Sequence, residues 1–369
     1  MNTALYFNEL IPYDNKPQPV YKKGENWYLR FREDKASSIV MRFAEEEYSF
    51  YKNENGEWEL KLPFDTAINY VQIIIDGVEV LMSLLPVTYG YSRACNYVEL
   101  PTDGDYFSLR NVPHGRVSRE YFYSSITNEW ESCIVYTPYG YDEDPDRIYP
   151  VLYLQHGHGE NETSWTYSGK VNLIMDNLIS EKKAEPFVIV MNNGMVQKKI
   201  VDEKGNERHI VDHLLLEPML IKDVIPFIET RYRAGRSKEK RGMAGLSMGS
   251  IQTCMTVCDH MDMFSEAGIF SGFLRDWISS GELDMSGHEE SSNVHLKVMD
   301  DADKFNSSFS TFFRAIGDKD PFMEQFIGDN MICEEKGISC VSKVYKGTHD
   351  WNVWRECFKD FAQMIFKRR

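Results

Sequence analysis

The sequence predicts two domains of different class. An all-β sandwich over residues 1–105 precedes an α/β domain over residues 106–369, built on a mostly parallel sheet flanked by helices. Three observations lead there. A length of 369 residues favours two domains over one. Up to about residue 105 the apolar segments are short, β-rich and separated by turn signals, as in a sandwich. Further on, apolar strand-like runs alternate with segments whose apolar residues recur at helical spacing, the signature of an α/β fold.

The N-terminal strand candidates are WYLRF (27–31), SSIVMRF (37–43), EEYSFYK (46–52), WELKL (58–62) and YVQIIIDGVEV (70–80). NENG (53–56) and DG (76–77) are hairpin turn sequences. Trp27 and Trp58 read as core or hairpin aromatics rather than a sugar platform.

In the second domain the strand candidates are REYFYSS (119–125), ESCIVYTP (131–138), YPVLYLQHG (149–157), PFVIVMNNG (186–194), KRGMAGLS (240–247), EAGIFSG (266–272), TFFRAIGDKD (311–320) and SCVSKVYKG (339–347). The most apolar are continuous runs, as strands covered on both faces require. VNLIMDNLISEKK (171–183) and LLLEPMLIKDVIPFIETRY (214–232) read as helices, the second with Pro218 near its start and Pro226 at a kink. MGSIQTCMTVCDHM continues as a helix after Ser247. The C-terminal WRECFKDFAQMIFKRR is amphipathic and ends in basic residues, which a helix C-terminus favours.

A formal charge of −16 argues against a nucleic-acid partner and against adsorption to anionic membranes. No run of about 20 apolar residues offers a membrane span. MNTALYFNELIPYDNK lacks the basic start and apolar stretch of a secretion signal. The seven cysteines are odd in number and scattered, so they read as reduced thiols of a cytoplasmic protein. Cys254 and Cys258 read as a buried pair on one helix face. No cofactor is expected, and the oligomeric state stays open, a homo-oligomer included.

The chemistry-bearing motif is GLSMGS (245–250), a G-x-S-x-G between a strand and a helix. A sharp strand-to-helix turn exposes the serine and leaves room only for glycine around it. The helix N-terminus supplies amides for a developing oxyanion. A serine hydroxyl also needs a base to take its proton. His349, in KGTHDWNVW, is the one histidine after Ser247 near a strand end. His260, His288 and His295 read as solvated. The acid that orients the base falls on Asp318 or Asp320 in AIGDKD; Asp350 is too close in sequence to reach the ring. The loop YLQHGHGENETSW (153–165) is placed for the oxyanion, with the backbone N–H groups of His158 and Met248 as donors. Metal binding by His156, His158 and Glu160 is the rival reading, but no further ligand follows at a sensible spacing.

YPVLYLQHGHGENETSW, VNLIMDNLISEKKAEPFVIVMNNG, GLSMGS, AIGDKD and GTHDWNVW, in that order, resemble the esterase D-like α/β-hydrolases, and within them the feruloyl and acetyl-xylan esterases of carbohydrate esterase family 1. The resemblance implies an α/β-hydrolase fold with Ser247 as nucleophile, His349 as base and Asp320 as acid, at the aspartate of the family's G-x-x-D. The family's oxyanion loop usually reads HGxGG; Glu160 stands here in place of the last glycine and bears on the shape and polarity of the acyl pocket. The N-terminal region resembles the Ig-like, E-set or CBM48-like modules that precede some of these esterases. The implied substrates are small-molecule or oligosaccharide esters: feruloyl or acetyl esters of plant carbohydrate, or small phenolic esters. Trp165, Trp351 and Trp354 are pocket candidates for stacking a phenolic acyl group, with core packing the alternative for each. An enterochelin-type siderophore esterase, an acyltransferase and a glycan-binding protein with an inactive hydrolase domain are the competing functions.

Overall fold

Alternation of buried and outward residues organises the N-terminal β-rich region. The structure is a computed structural model in which residues 19–65, 68–101, 106–202, 204–274, 278–279, 282–283 and 297–367 are described. Residues 1–18, and with them the N-terminal stretch read above, lie outside that set, as do His288 and His295. The chain divides into the units Met1–Asp105 and Tyr106–Arg369.

The first unit holds β1 (Val20–Lys23), β2 (Asn26–Phe31), β3 (Ile39–Phe43), β4 (Glu46–Ser49), β5 (Tyr51–Lys52), β6 (Trp58–Lys61), β7 (Ile68–Ile75), β8 (Val78–Val80), β9 (Val87–Gly90) and β10 (Arg93–Glu99). One sheet runs β1-β2-β6-β5 and the other β4-β3-β7-β10-β9, with β8 paired to β7. Leu29 and Phe31 of β2, Ile39 and Met41 of β3, and Val71 and Ile73 of β7 are buried at period two and share one core with Trp58 and Leu60 of β6. This is the sandwich arrangement of two sheets closing on a common interior. Trp58 belongs to that interior, its indole N–H donating to the Glu33 carbonyl at 2.9 Å, and Trp27 packs against it. β1, β9 and β10 were not foreseen: VYKK and RACNYVE carry too few apolar residues in strict alternation to declare themselves.

The second unit is an eight-stranded sheet of β11 (Arg116–Tyr123), β12 (Trp130–Thr137), β13 (Val151–Gln155), β14 (Val188–Asn192), β17 (Arg241–Leu246), β18 (Glu266–Phe270), β21 (Thr311–Gly317) and β22 (Val341–Tyr345). The hairpins β15 (Gln197–Val201)–β16 (Glu207–Val211) and β19 (Ile278–Ser279)–β20 (Glu282–Leu283) stand apart from it. The order is β11-β12-β14-β13-β17-β18-β21-β22. The first two pairings are antiparallel and the rest parallel. β13, β14, β17 and β18 are buried almost without interruption, as continuous apolar runs require.

Helices cover both faces. Met243, Ala267 and Ile269 share a core with Cys254 and Val257 of the helix Met248–Asp259. Gly268, one residue out of phase on β18, faces Phe361 of the helix Trp351–Ala362 instead. A side chain on Gly268 would crowd that helix, which is why the strand can be covered so closely there. Among the described residues no helix is long and apolar enough to cross a membrane. Cys254 and Cys258 are both buried and unpaired by disulfide.

Two local readings are refined. The stretch expected as one helix over 214–232 is a 3-10 turn (His213–Leu215), an α turn (Leu216–Met219), a π segment (Leu220–Val224) and an α-helix (Ile225–Arg231). Pro226 has no N–H to return to the preceding turn, and the widened π segment just before it absorbs the mismatch. The C-terminal helix begins at Trp351 rather than Trp354, because Asp350 caps it by accepting from the amides of Asn352 and Val353. The hairpin β15–β16 carries charged residues on both faces and gave no apolar period to read.

Candidate active site

The parallel strands all end on one edge of the sheet, the edge where α/β folds place their chemistry. Ser247 lies between β17 and the helix Met248–Asp259, with φ 50° and ψ −122°. This left-handed conformation is costly for a residue with a side chain, and the surroundings hold it. The Ser247 amide donates to the Phe270 carbonyl at 2.9 Å, and the Ser250 and Ile251 amides return to the Ser247 carbonyl. A Cβ on Gly245 would run into the Gly249 carbonyl, and one on Gly249 into the His156 carbonyl. The glycines of G-x-S-x-G are therefore required by close backbone approach on both sides of the turn.

His349 arrives from the loop after β22, and its ring meets two partners. Nε2 lies 2.9 Å from Ser247 Oγ, and Nδ1 lies 2.8 Å from Asp320 Oδ2. The side chain of Asp320 is fully buried and that of His349 is 23 % exposed. The second oxygen of Asp320 accepts the Phe322 amide at 3.0 Å, so the carboxylate cannot swing away. The rings of Phe322 and Trp354 pack against the imidazole, with ring centroids 5.1 and 5.0 Å away and nearly perpendicular planes.

The other two aspartates near this histidine do something else. Asp318 accepts the Gly347 amide at 2.9 Å, and the Lys319 amide donates to the Gly347 carbonyl at 2.8 Å. These bonds join the acid-bearing loop to the histidine-bearing loop. Asp350 is the helix cap described above, and burial raises its carboxyl above the usual range.

The loop after β13 lies alongside. His156 is buried; its Nε2 accepts the Gly194 amide at 2.9 Å, so its Nδ1 carries the proton and donates to the Gly157 carbonyl at 2.8 Å. Gln252, on the helix behind Ser247, donates to the carbonyls of Gly194 and His213 at 2.9 and 3.0 Å. The loops after β13 and β14 are thus tied to each other and to that helix. The Glu160 carboxylate accepts the Gly157 amide at 3.1 Å and the Trp351 indole N–H at 2.8 Å. The side chain of His158 turns outward, its ring 5.5 Å from that of His213. His156, His158 and Glu160 point to separate partners, and no group of three or more His, Cys, Asp or Glu side chains suited to a metal occurs among the described residues.

The His156 environment has a measurable consequence. Burial lowers its pKa below 6.5, so the folded protein holds it neutral where an unfolded chain would protonate it. Below pH 6.5 the unfolded state then binds the extra proton, so the contribution of His156 to stability is intact above that pH and is lost as pH falls toward the folded pKa. Thermal midpoints measured from about pH 7.5 to about pH 5 should fall more steeply for the wild type than for His156→Gln, which has no proton to take up. Equal slopes would show that His156 is not the titrating group.

The pocket candidates fare differently. Trp165 is 1 % exposed, and its indole N–H donates to the Gln155 carbonyl at 2.8 Å. It packs against Trp351, Phe270 and Phe358 as a core residue, so the expectation that it stacks on a substrate is corrected. Trp351, 3 % exposed, is likewise occupied by Glu160 and Trp165 and offers no free ring face. Trp354 donates to Ser271 Oγ at 3.0 Å and supports the His349 ring. Glu160 is 8 % exposed, with its carboxylate engaged by the Gly157 amide and the Trp351 indole N–H. His260, read as solvated, pairs with Glu217 at 2.9 Å. Sequence reasoning missed Phe322, Gln252, Ser271 and the bridging role of Asp318. None has a spacing signal, because each acts through contacts made only once the strands are side by side.

Comparison with known proteins gives the family of the chain. Residues 124–363 match the family model Esterase, described as "Putative esterase". An endo-1,4-beta-xylanase/feruloyl esterase of Xylanibacter ruminicola is 31 % identical over 96 % of the chain, which spans about half of that protein (48 %). The fold resembles the feruloyl esterase module of Clostridium thermocellum solved with sinapinate, with a TM-score of 0.56 at 21 % identity, covering 76 % of this chain and 95 % of that one. It also resembles the enterobactin esterase of Shigella flexneri, with a TM-score of 0.64 at 12 % identity, covering 93 % and 94 % of the two chains. By its sequence match, set on the fold and site just described, the chain belongs to the Esterase family.

Proposed function

We propose that the protein is a serine carboxylic-ester hydrolase that cleaves feruloyl or acetyl esters of plant carbohydrate, or small phenolic esters, through an acyl-enzyme. The observation that carries this is the continuous relay from Ser247 Oγ through His349 to the buried Asp320, with hydrogen bonds of 2.9 and 2.8 Å. His349 Nε2 takes the Ser247 proton as Oγ attacks the ester carbonyl. The tetrahedral oxyanion is received by the amides of Met248 and His158. Met248 is the first residue of its helix, so its N–H has no intrahelical acceptor. His349 then gives its proton to the departing alcohol. Water, deprotonated by the same nitrogen, attacks the acyl-enzyme, and Ser247 leaves with the proton returned. Asp320 accepts from Nδ1 throughout and stabilises the ring while it is charged.

The feruloyl assignment is supported by the Xylanibacter ruminicola relative, and the N-terminal sandwich by its two-sheet core, which we read as an Ig-like, E-set or CBM48-like module over residues 1–105. The likeness to the enterobactin esterase over nearly the whole chain favours a second reading, hydrolysis of a siderophore trilactone. A panel of acetyl, feruloyl, p-coumaroyl and caffeoyl esters beside a catecholate trilactone separates the two. The highest kcat/KM is expected on a feruloyl or acetyl ester. Turnover confined to the trilactone would replace the first reading with the second.

A further inference from the structure

One buried carboxylate joins the two loops that must be in register for this chemistry. The turn 157–160 is closed by its main chain, the Glu160 amide donating to the Gly157 carbonyl at 3.3 Å, with Gly159 at φ +75°. The Glu160 side chain closes it again through Oε2, which accepts the Gly157 amide at 3.1 Å. Its other oxygen, Oε1, accepts the Trp351 indole N–H at 2.8 Å, and Trp351 lies two positions after His349 and starts the helix that Asp350 caps. Glu160 is 8 % exposed and Trp351 3 %. The next acidic residue of the loop, Glu162, anchors its far end to the sheet edge by accepting from Arg119 and from Ser132 Oγ, at 2.5 and 2.9 Å.

We propose that Glu160 is a positioning residue for ester hydrolysis: it sets the loop carrying the His158 amide against the histidine-bearing segment, fixing the oxyanion donor relative to Ser247 and His349. The inference rests on the esterase reading above. The residue type follows from the donors it meets. Two N–H groups converge on one side chain, and an ionised carboxylate presents two oxygens and no hydrogen. Glutamine keeps the shape but has a single oxygen, so one of the two donors would face an NH2 group. Glycine would serve neither. Because Glu160 engages the Gly157 amide, that amide is turned away from the oxyanion, and the donor role falls to the next one along.

The test compares Glu160→Gln and Trp351→Phe with the wild type on p-nitrophenyl acetate. An aryl trifluoromethyl ketone, which Ser247 converts to a tetrahedral adduct bearing an oxyanion, is the second probe. For Glu160→Gln, kcat should fall about 10- to 100-fold with KM within about threefold, and the ketone inhibition constant should rise in parallel. Trp351→Phe removes one of the two bonds without altering the carboxylate and should show the same pattern at smaller amplitude, which keeps the idea testable should the glutamine variant fold poorly. The double variant should lose little more than Glu160→Gln alone, because both act through one contact. Wild-type kinetics in both variants would overturn the proposal. So would a loss of rate matched by a loss of fluorophosphonate-titratable sites, with the ketone binding unchanged in the sites that remain, since that is the behaviour of a purely structural residue. A wild type without Ser247-dependent hydrolysis would remove the esterase reading first, and this inference with it.

Discussion

Ser247→Ala is expected to lower kcat by a factor on the order of 10⁶ while leaving the fold intact. The size follows from the relay acting as one unit. Removing Oγ takes away the nucleophile, and the imidazole 2.9 Å away then has no hydroxyl to activate. What remains is the binding site and the oxyanion amides, which on their own accelerate a water attack by about 10³- to 10⁴-fold, far short of the intact relay. Alanine keeps a Cβ at the φ 50° position, so it changes no backbone demand and adds no new clash. Circular dichroism and thermal midpoint should therefore match the wild type while hydrolysis of p-nitrophenyl acetate falls to near background. A variant that keeps wild-type turnover would place the nucleophile elsewhere.

Asp320→Asn should be the second largest effect, about 10⁴ in kcat. Asp320 accepts the Phe322 amide through Oδ1 and faces His349 Nδ1 through Oδ2. An asparagine there would keep its oxygen on the Phe322 amide and turn its NH2 toward the imidazole. Nδ1 would then have to accept, which moves the ring proton to Nε2. A protonated Nε2 cannot take the serine proton, so the geometry survives and the base does not. Asp318→Asn provides the contrast. Its carboxylate serves the Gly347 amide, and an amide oxygen can accept that bond equally well. It should stay within about tenfold of wild type. Reversal of the two results, with Asp318→Asn the severe variant, would assign the acid to the wrong aspartate here.

Much of this arrangement can be read from the chain. GLSMGS announces its turn because two glycines are needed wherever a strand reverses tightly into a helix. The apolar runs VLYLQ and VIVMN declare buried parallel strands by lacking alternation. The order Ser247, Asp320, His349 then follows from the succession of strand ends. Residues alone left Asp318 and Asp320 open, since both follow the same strand. The structure separates them by two positions of loop: one faces the imidazole, the other the Gly347 amide. The tryptophans misled for a related reason. An indole beside a catalytic motif reads equally well as a stacking surface or as core; Trp165 is core because Trp351 and Phe358 of the helix Trp351–Ala362 pack against it, and Trp351 because Trp165 and Glu160 occupy it. Glu160 was visible as a departure from a glycine-rich loop, but its meaning depends on Trp351, 191 positions away. Contacts of that range have no local signature.

The most direct test of the central claim is the site and stoichiometry of covalent capture. Wild-type protein is incubated with a fluorophosphonate, and the adduct is located by peptide mass spectrometry. One adduct per chain on the peptide containing Ser247 is expected, blocked by prior incubation with the trifluoromethyl ketone and absent from Ser247→Ala. An adduct on another residue, or an unlabelled Ser247 in protein that still hydrolyses esters, would contradict it.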